Sequence, residues 1–284
     1  MLKKLNLANP ESSEIKFQIS KFPDGQQSIT ITDAPAFLQG HDIMISSRLN
    51  SFKDLELIIC ATQSLRNMAV STVSLYVPYF LGARSDRKFS QGSVNYLKQV
   101  ICPIINSQNF TSVLVLDPHS DVLEACINNF EKLDNHTVVK YALTDIDNRN
   151  GAQERTVLVS PDAGAYKKIF DVAQKFDITN VVTAMKHRDI RTGKITHTEI
   201  PNIDQYGADH NFVIVDDICD GGRTFTELAK AIQNQIPDAK IYLIVTHGIF
   251  SAGFDELGKW FEKIYTTNSV SNTAAPIVTQ FDVF

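Results

Sequence analysis

The chain has 284 residues, 43% hydrophobic and 21% charged, the profile of a globular protein with room for one large domain or two smaller ones. Its 27 basic and 32 acidic residues leave a formal charge of −5, which disfavours a broad face for duplex nucleic acid, because such binding displaces counterions with a basic surface. No apolar run approaches the roughly 18 residues of a bilayer span, and MLKKLNLANPESSE lacks the apolar centre of a signal peptide. The four cysteines, Cys60, Cys102, Cys126 and Cys219, form no CxxC pair, so a zinc ribbon or dithiol redox site is disfavoured. They read as buried thiols of a cytoplasmic protein, with neither nucleic acid nor membrane as partner.

Taken in chain order, strand patterns are expected at 14–19, 27–32 and 41–46, then a helix at 54–68 and a strand at 73–78. A helix at 92–107, a strand at 112–117, a helix at 120–130 and a strand at 137–141 (TVVKY) follow. Then come a strand at 156–160, a helix at 165–176 and a strand at 180–185. A strand at 212–216, a helix at 224–236 and a strand at 240–246 complete the set. Several strands are unbroken Val/Ile/Leu runs, which suits parallel strands covered on both faces and an α/β fold. The stretch from Asp189 to Asn211 reads as a mobile loop or a small hairpin. GAQERT, after DIDNRN, marks a break between halves, and the domains are expected as 1–143 and 144–284.

The run VIVDDICDGGRT, Val213 to Thr224, joins a buried strand to two acids and a glycine turn. Asp216 and Asp217 can accept hydrogen bonds from the vicinal hydroxyls of a ribose. The amides of a turn through Gly221 and Gly222, opening the helix that begins near Thr224, suit a phosphate. The competing reading is a solvated turn, for which Asp and Gly are ordinary residues. That reading leaves two acids directly after a buried strand unexplained. The pattern resembles the phosphoribosyl-pyrophosphate-binding signature of phosphoribosyltransferases and related synthetases, so by itself it does not fix the reaction.

Other polar groups also gather at strand ends. Arg84, Asp86, Arg87 and Lys88 follow one strand, and arginine forks suit phosphate oxygens and nucleobases. Asp117 and His119 end the next, where an imidazole can help position a magnesium-bound nucleotide. Asp162 precedes a helix bearing Lys167 and Lys168. Lys186, His187 and Arg188 stand at the mouth of the 189–211 loop, where cations closing over a polyphosphate would stabilise transition-state charge. Each has a plainer reading on its own: a solvated charged patch for the charge runs, and a structural residue for His119.

In order, FPDGQ, GARSDRK, LDPHS, VSPDAGA, KHR and VDDICDGGRT resemble the segments of phosphoribosyl pyrophosphate synthetases, also called ribose-phosphate pyrophosphokinases. The resemblance implies two similar phosphoribosyltransferase-like domains, each a mainly parallel sheet flanked by helices. It implies a Mg2+-dependent site, ATP and a 5-phosphorylated ribose as substrates, and homo-oligomers built from dimers. Nucleotide binding falls to Phe22, Asp24, Gln26, Arg84, Ser85, Asp86 and His119, with FPDGQ reaching adenine from a neighbouring subunit. His119 and Asp162 would hold the metal, and Lys186 and Arg188 would be catalytic. Asp216, Asp217, Asp220, Gly221, Gly222, Arg223 and Thr224 would bind the sugar phosphate.

This chain departs from the family pattern at Gln26, Ser85, Gly221 and Arg223. Arg223 either serves a larger acceptor such as ADP-ribose or points away as a first-turn helix residue. The expected reaction is transfer of pyrophosphate from ATP to the anomeric hydroxyl of ribose 5-phosphate, giving phosphoribosyl pyrophosphate and AMP. A phosphoribosyltransferase and a non-catalytic regulatory relative are the alternatives of other classes.

Overall fold

The structure, a computed structural model, describes residues 2–150, 155–188 and 195–284, the side chains of 186–188 and 195–197 excepted. The chain divides into two compact units, Met1–Asp134 with Val283–Phe284, and Asn135–Asp282. The sequence-based boundary at 143/144 lies inside the helix His136–Asn150.

The first unit runs β1 (Leu2–Asn6), β2 (Phe17–Lys21), β3 (Gln27–Ile31), α1 (Pro35–Leu38), β4 (Asp42–Ser46) and α2 (Phe52–Asn67). It continues through β5 (Thr72–Tyr76), α3 (Cys102–Ser107), β6 (Val113–Leu116), α4 (Val122–Cys126) and β7 (Phe130–Leu133). Strands β1, β4, β5, β6 and β7 form one parallel sheet in that order. Strands β2 and β3 form a separate antiparallel hairpin. Helix α2 starts on a capping box: Ser51 Oγ accepts from the Asp54 amide, and Asp54 answers the Ser51 amide. Its Leu55, Ile58, Ala61 and Leu65, spaced at helical intervals, are buried in the core of this unit.

The second unit runs α5 (His136–Asn150), β8 (Thr156–Ser160), α6 (Tyr166–Lys175), β9 (Val181–Thr183), β10 (Met185–Arg188) and β11 (Ile195–Glu199). Then come β12 (Asn211–Cys219), α7 (Arg223–Gln235), β13 (Lys240–Gly248), β14 (Lys263–Thr267) and β15 (Val278–Phe281). Its parallel sheet has the order β15-β14-β13-β12-β8-β9. Both faces are covered, which is why β12 and β13 read as unbroken apolar runs. Phe212 and Ile214 join the cluster of α7, with Leu228 and Ile232. Val213 and Val215 join the cluster of α5 and α6, with Val139, Ile169 and Val172. The fold is thus α/β, with a parallel sheet flanked by helices in each unit, as expected.

Four local expectations are corrected. TVVKY is helical: Val138, Val139, Ala142, Leu143 and Ile146 carry a 3.6-residue stripe through α5, which overrides the β-branched preference of the run. Residues 180–185 do not form one strand, because β9 joins the main sheet and β10 pairs antiparallel with β11. The helix expected at 92–107 is a π turn at Leu97–Ile101 followed by α3, next to Pro103, which has no amide hydrogen for the preceding turn. The helix expected at 120–130 stops at Cys126, and Phe130 opens β7.

Candidate functional site

In the second unit the site is built where β12 ends. The side-chain alternation of a strand puts Asp217 on the same face as Val213 and Val215, the face covered by α6. There Lys168 Nζ of α6 lies 3.8 Å from Asp217 Oδ2, which is almost fully buried. Asp216 turns back on its own backbone, its Oδ1 accepting the Asp217 amide at 2.9 Å. Burial first, and then the charge of Asp217, raise the Asp216 carboxyl well above its ordinary value, with Lys168 pulling the other way. Paired acids at a strand end can accept from two vicinal hydroxyls, and one proton shared between them is a donor as well.

The chain then leaves the sheet through Asp220, Gly221 and Gly222. Gly222 has φ +78°, and a Cβ there would lie 3.0 Å from Leu257 Cδ2, so glycine is required on both counts. Gly221 has no such need: its nearest neighbour would be Ser251 Oγ at 3.7 Å. Gly222 is the N-cap of α7 and supplies no capping side chain. The amides of Arg223 and Thr224 therefore open a helix end suited to an anion, and both residues are exposed. Asp220 Oδ1 accepts from Ser251 Oγ at 2.6 Å. Burial together with Asp216 and Asp220 pushes the Cys219 thiol up to about 12, which makes it a neutral packing group.

Asp162 follows β8 in the same unit. Its Oδ1 accepts the amides of Gly164 and Ala165 at 3.0 and 3.1 Å, and so shapes the turn into α6.

In the first unit two loops at the ends of parallel strands are tied together. Asp86 Oδ2 accepts from Ser120 Oγ at 2.7 Å, and the Asp86 carbonyl accepts from Asn95 Nδ2 at 2.6 Å. GARSDRK and LDPHS therefore form one structure. Gly82, at φ +82°, lies where a Cβ would meet Tyr96 Cδ1 at 2.7 Å. Asp117, buried with φ +42°, holds the left-handed backbone that aspartate tolerates better than most residues. Its amide donates to the Leu133 carbonyl. Arg84 and His119 are exposed, and Ser85 is half-buried.

FPDGQ is the turn of the β2–β3 hairpin. The Phe22 amide donates to the Gln26 carbonyl, and Asp24 Oδ1 accepts the Gln26 amide at 3.1 Å. The Phe22 ring is 52% exposed.

The structure thus joins Asp216, Asp217 and the start of α7 in one place, and Asp86 with the loop carrying His119 in another. Lys186 and Arg188 lie on β10, and their side chains fall outside the described residues. Among the described residues no group of three His, Cys, Asp or Glu side chains could hold a metal ion. No helix there is long and apolar enough to cross a membrane. Sequence reasoning did not assign Lys168 or Ser251 to the site. The helical position of Lys168 two residues beyond Tyr166 was legible, but its partner across the sheet was not.

A family model described as the phosphoribosyl transferase domain matches residues 130–276, more than half of the chain. The chain belongs to the phosphoribosyl transferase domain family. Curated relatives extend the likeness of this family member beyond the matched residues. The ribose-phosphate pyrophosphokinase of Sulfolobus acidocaldarius is 24% identical, with 93% of this chain and 87% of that one covered. That of a Marinomonas species is 27% identical, covering 82% of this chain and 71% of its own. The resemblance to ribose-phosphate pyrophosphokinases read from the ordered segments is borne out by these relatives. Phosphoribosylpyrophosphate synthetase from Mycobacterium smegmatis has the same fold, with a TM-score of 0.81 and 16% identity over 99% of this chain and 94% of that one.

Proposed function

We propose that this chain transfers pyrophosphate from ATP to the anomeric hydroxyl of ribose 5-phosphate. The anomeric oxygen attacks the β-phosphorus, the bond to the α–β bridging oxygen breaks, and AMP leaves. The observation that carries this reading is the reach of the likeness. Ribose-phosphate pyrophosphokinases align across both units, including the Asp86–Ser120 loops of the first. A phosphoribosyltransferase would use only the domain spanned by residues 130–276.

In the proposed reaction Asp216 and Asp217 hold the ribose hydroxyls, and the amides opening α7 hold the 5-phosphate. Lys168 keeps Asp217 in place. Arg84, Ser85, Asp86 and the loop of His119 receive the nucleotide. Phe22, Asp24 and Gln26 present an exposed ring and turn to adenine from a neighbouring copy in an oligomer built from dimers. Lys186 and Arg188 meet the charge on the transferring group.

Magnesium keeps several waters and substrate phosphate oxygens and needs only one or two protein ligands. The Asp162 carboxylate is a hard oxygen donor of the kind that suits magnesium, and an imidazole such as that of His119 suits a magnesium-bound water. Bound with ATP, the ion would neutralise charge on the phosphate oxygens. Positioning and charge compensation are what this chemistry demands from the protein, so a strong general base is not required.

Incubation with ATP, Mg2+ and ribose 5-phosphate, with AMP as the readout, tests the proposal. Stoichiometric AMP and phosphoribosyl pyrophosphate are expected. Acceptor-independent hydrolysis of ATP, or no AMP with any phosphorylated ribose, would reject it.

A further inference from the structure

The loop after β13 has no assigned part in the site, yet it is bonded to the phosphate loop along its length. The Ile249 and Phe250 amides both donate to the Cys219 carbonyl, at 2.8 and 3.2 Å. The Ser251 amide donates to the Asp220 carbonyl at 3.2 Å, and the Ser251 hydroxyl donates to Asp220 Oδ1 at 2.6 Å. This close approach is bought with strain. Phe250 has φ +49°, a left-handed backbone that is a genuine outlier for a bulky residue. The turn is held by packing: the Phe250 ring lies 4.7 Å from that of Phe254. It also needs Gly248, where a Cβ would lie 2.0 Å from Phe250 Cε2. Strain of this kind persists only where the surroundings over-determine it, and it clusters at functional sites.

What the strained turn delivers is the Ser251 hydroxyl to Asp220. Asp220 precedes Gly222, the N-cap of a helix that has no capping side chain. Aspartate is among the best acceptors for first-turn amides. An Asp220 carboxylate turned toward those amides would compete for the donors that a sugar phosphate needs, and would repel the phosphate by charge.

We propose that Ser251 is a positioning residue for the 5-phosphate of the sugar, fixing the Asp220 carboxylate so that the amides opening α7 stay available to the anion. The inference rests on the reading of Asp216–Thr224 as a sugar-phosphate loop. It adds a second loop, 249–254, to the acceptor side of the site.

The test is calorimetric binding of ribose 5-phosphate to the full chain, independent of turnover. Ser251→Ala is expected to bind about fivefold more weakly, the scale of one net hydrogen bond. Ser251→Thr, which keeps the hydroxyl, should bind as the wild type does. In steady state Ser251→Ala should raise KM for the acceptor while leaving kcat and KM for ATP unchanged.

Unchanged affinity in Ser251→Ala overturns the proposal. So does an equal loss in the threonine variant. If ribose 5-phosphate binds with this Ser251 dependence but yields no AMP, the positioning role stands and the proposed reaction falls. If neither ribose 5-phosphate nor inorganic phosphate binds the wild-type chain, the sugar-phosphate loop falls and this inference with it.

Discussion

Lys168 on α6 and Asp217 at the end of β12 form an ion pair that spans two layers of the second unit, Nζ to Oδ2 at 3.8 Å. Asp217 contributes a side chain only 8% exposed, against 30% for Lys168, so the lysine compensates a carboxylate that water hardly reaches. Removing one partner of a buried pair leaves the other charge uncompensated, which costs more than the pair contributes as a whole. The length of the contact and the partial exposure of Lys168 bring the expected cost of Lys168→Met to about 1–2 kcal/mol at neutral pH. Lys168→Arg should retain most of the stability. Urea denaturation with an unchanged m-value checks this, and equal midpoints for wild type and Lys168→Met would refute it.

The raised Asp216 carboxyl has a consequence for stability against pH. An acid whose folded pKa lies above its unfolded value, here near 3.8, favours the fold only while protonated. Its penalty is absent below the unfolded pKa, grows as pH rises through the interval up to the folded pKa, and is constant above it. Asp216→Asn removes the ionisation, so it should stabilise the chain at neutral pH and give no advantage in strong acid. Thermal midpoints measured for both proteins from acid to neutral pH should converge at the acid end. A gain that is the same at every pH would mean that ionisation is not its source. The same substitution replaces one oxygen of the proposed ribose-hydroxyl acceptor with an amide nitrogen, so the stabilised variant should bind ribose 5-phosphate more weakly.

How far these sites were legible depended on the range of the interaction behind each. The Asp216–Gly222 loop could be read because an apolar strand, two acids and a glycine turn are contiguous, and each has a local physical reason. The two-unit α/β fold could be read from unbroken apolar strands alternating with helical stripes. TVVKY failed because Thr137, Val138 and Val139 prefer strands locally, while the stripe that makes them helical extends to Ile146. Strands β1, β7, β14 and β15 were missed: Leu2–Asn6 and Phe130–Leu133 carry lysines and few apolar residues, and they lie at or beside sheet edges. Lys168 with Asp217, and Ser251 with Asp220, were out of reach for another reason. Each pair is far apart in sequence and meets only through the packing of the second unit.

The two glycines of the loop between β12 and α7 should respond differently to substitution. Gly222 combines φ +78° with a Cβ position 3.0 Å from Leu257, so Gly222→Ala meets backbone strain and a contact at once. The left-handed backbone alone costs about 1–2 kcal/mol, and the start of α7 would shift with it. Gly221 has no positive φ and no neighbour nearer than 3.7 Å, so Gly221→Ser should be close to neutral in stability. Chemical denaturation of the two variants side by side checks the contrast. Equal losses would mean that the loop is held by something other than the Gly222 backbone.

Arg223 is the position at which the identity of the acceptor can be tested. It occupies the first turn of α7, exposed, at the helix end where a positive side chain opposes the macrodipole. Helix stability therefore gives no reason for an arginine at this position, whereas a ligand carrying a second phosphate would. Arg223→Ala should leave stability unchanged or raised by a few tenths of a kcal/mol. If the natural acceptor is a larger phosphorylated ribose, AMP release with ADP-ribose should fall about tenfold in kcat/KM, the scale of one charge-assisted contact. Release with ribose 5-phosphate should then stay within about twofold. Equal, small effects on both acceptors would make Arg223 an ordinary first-turn residue and leave ribose 5-phosphate as the substrate of this loop.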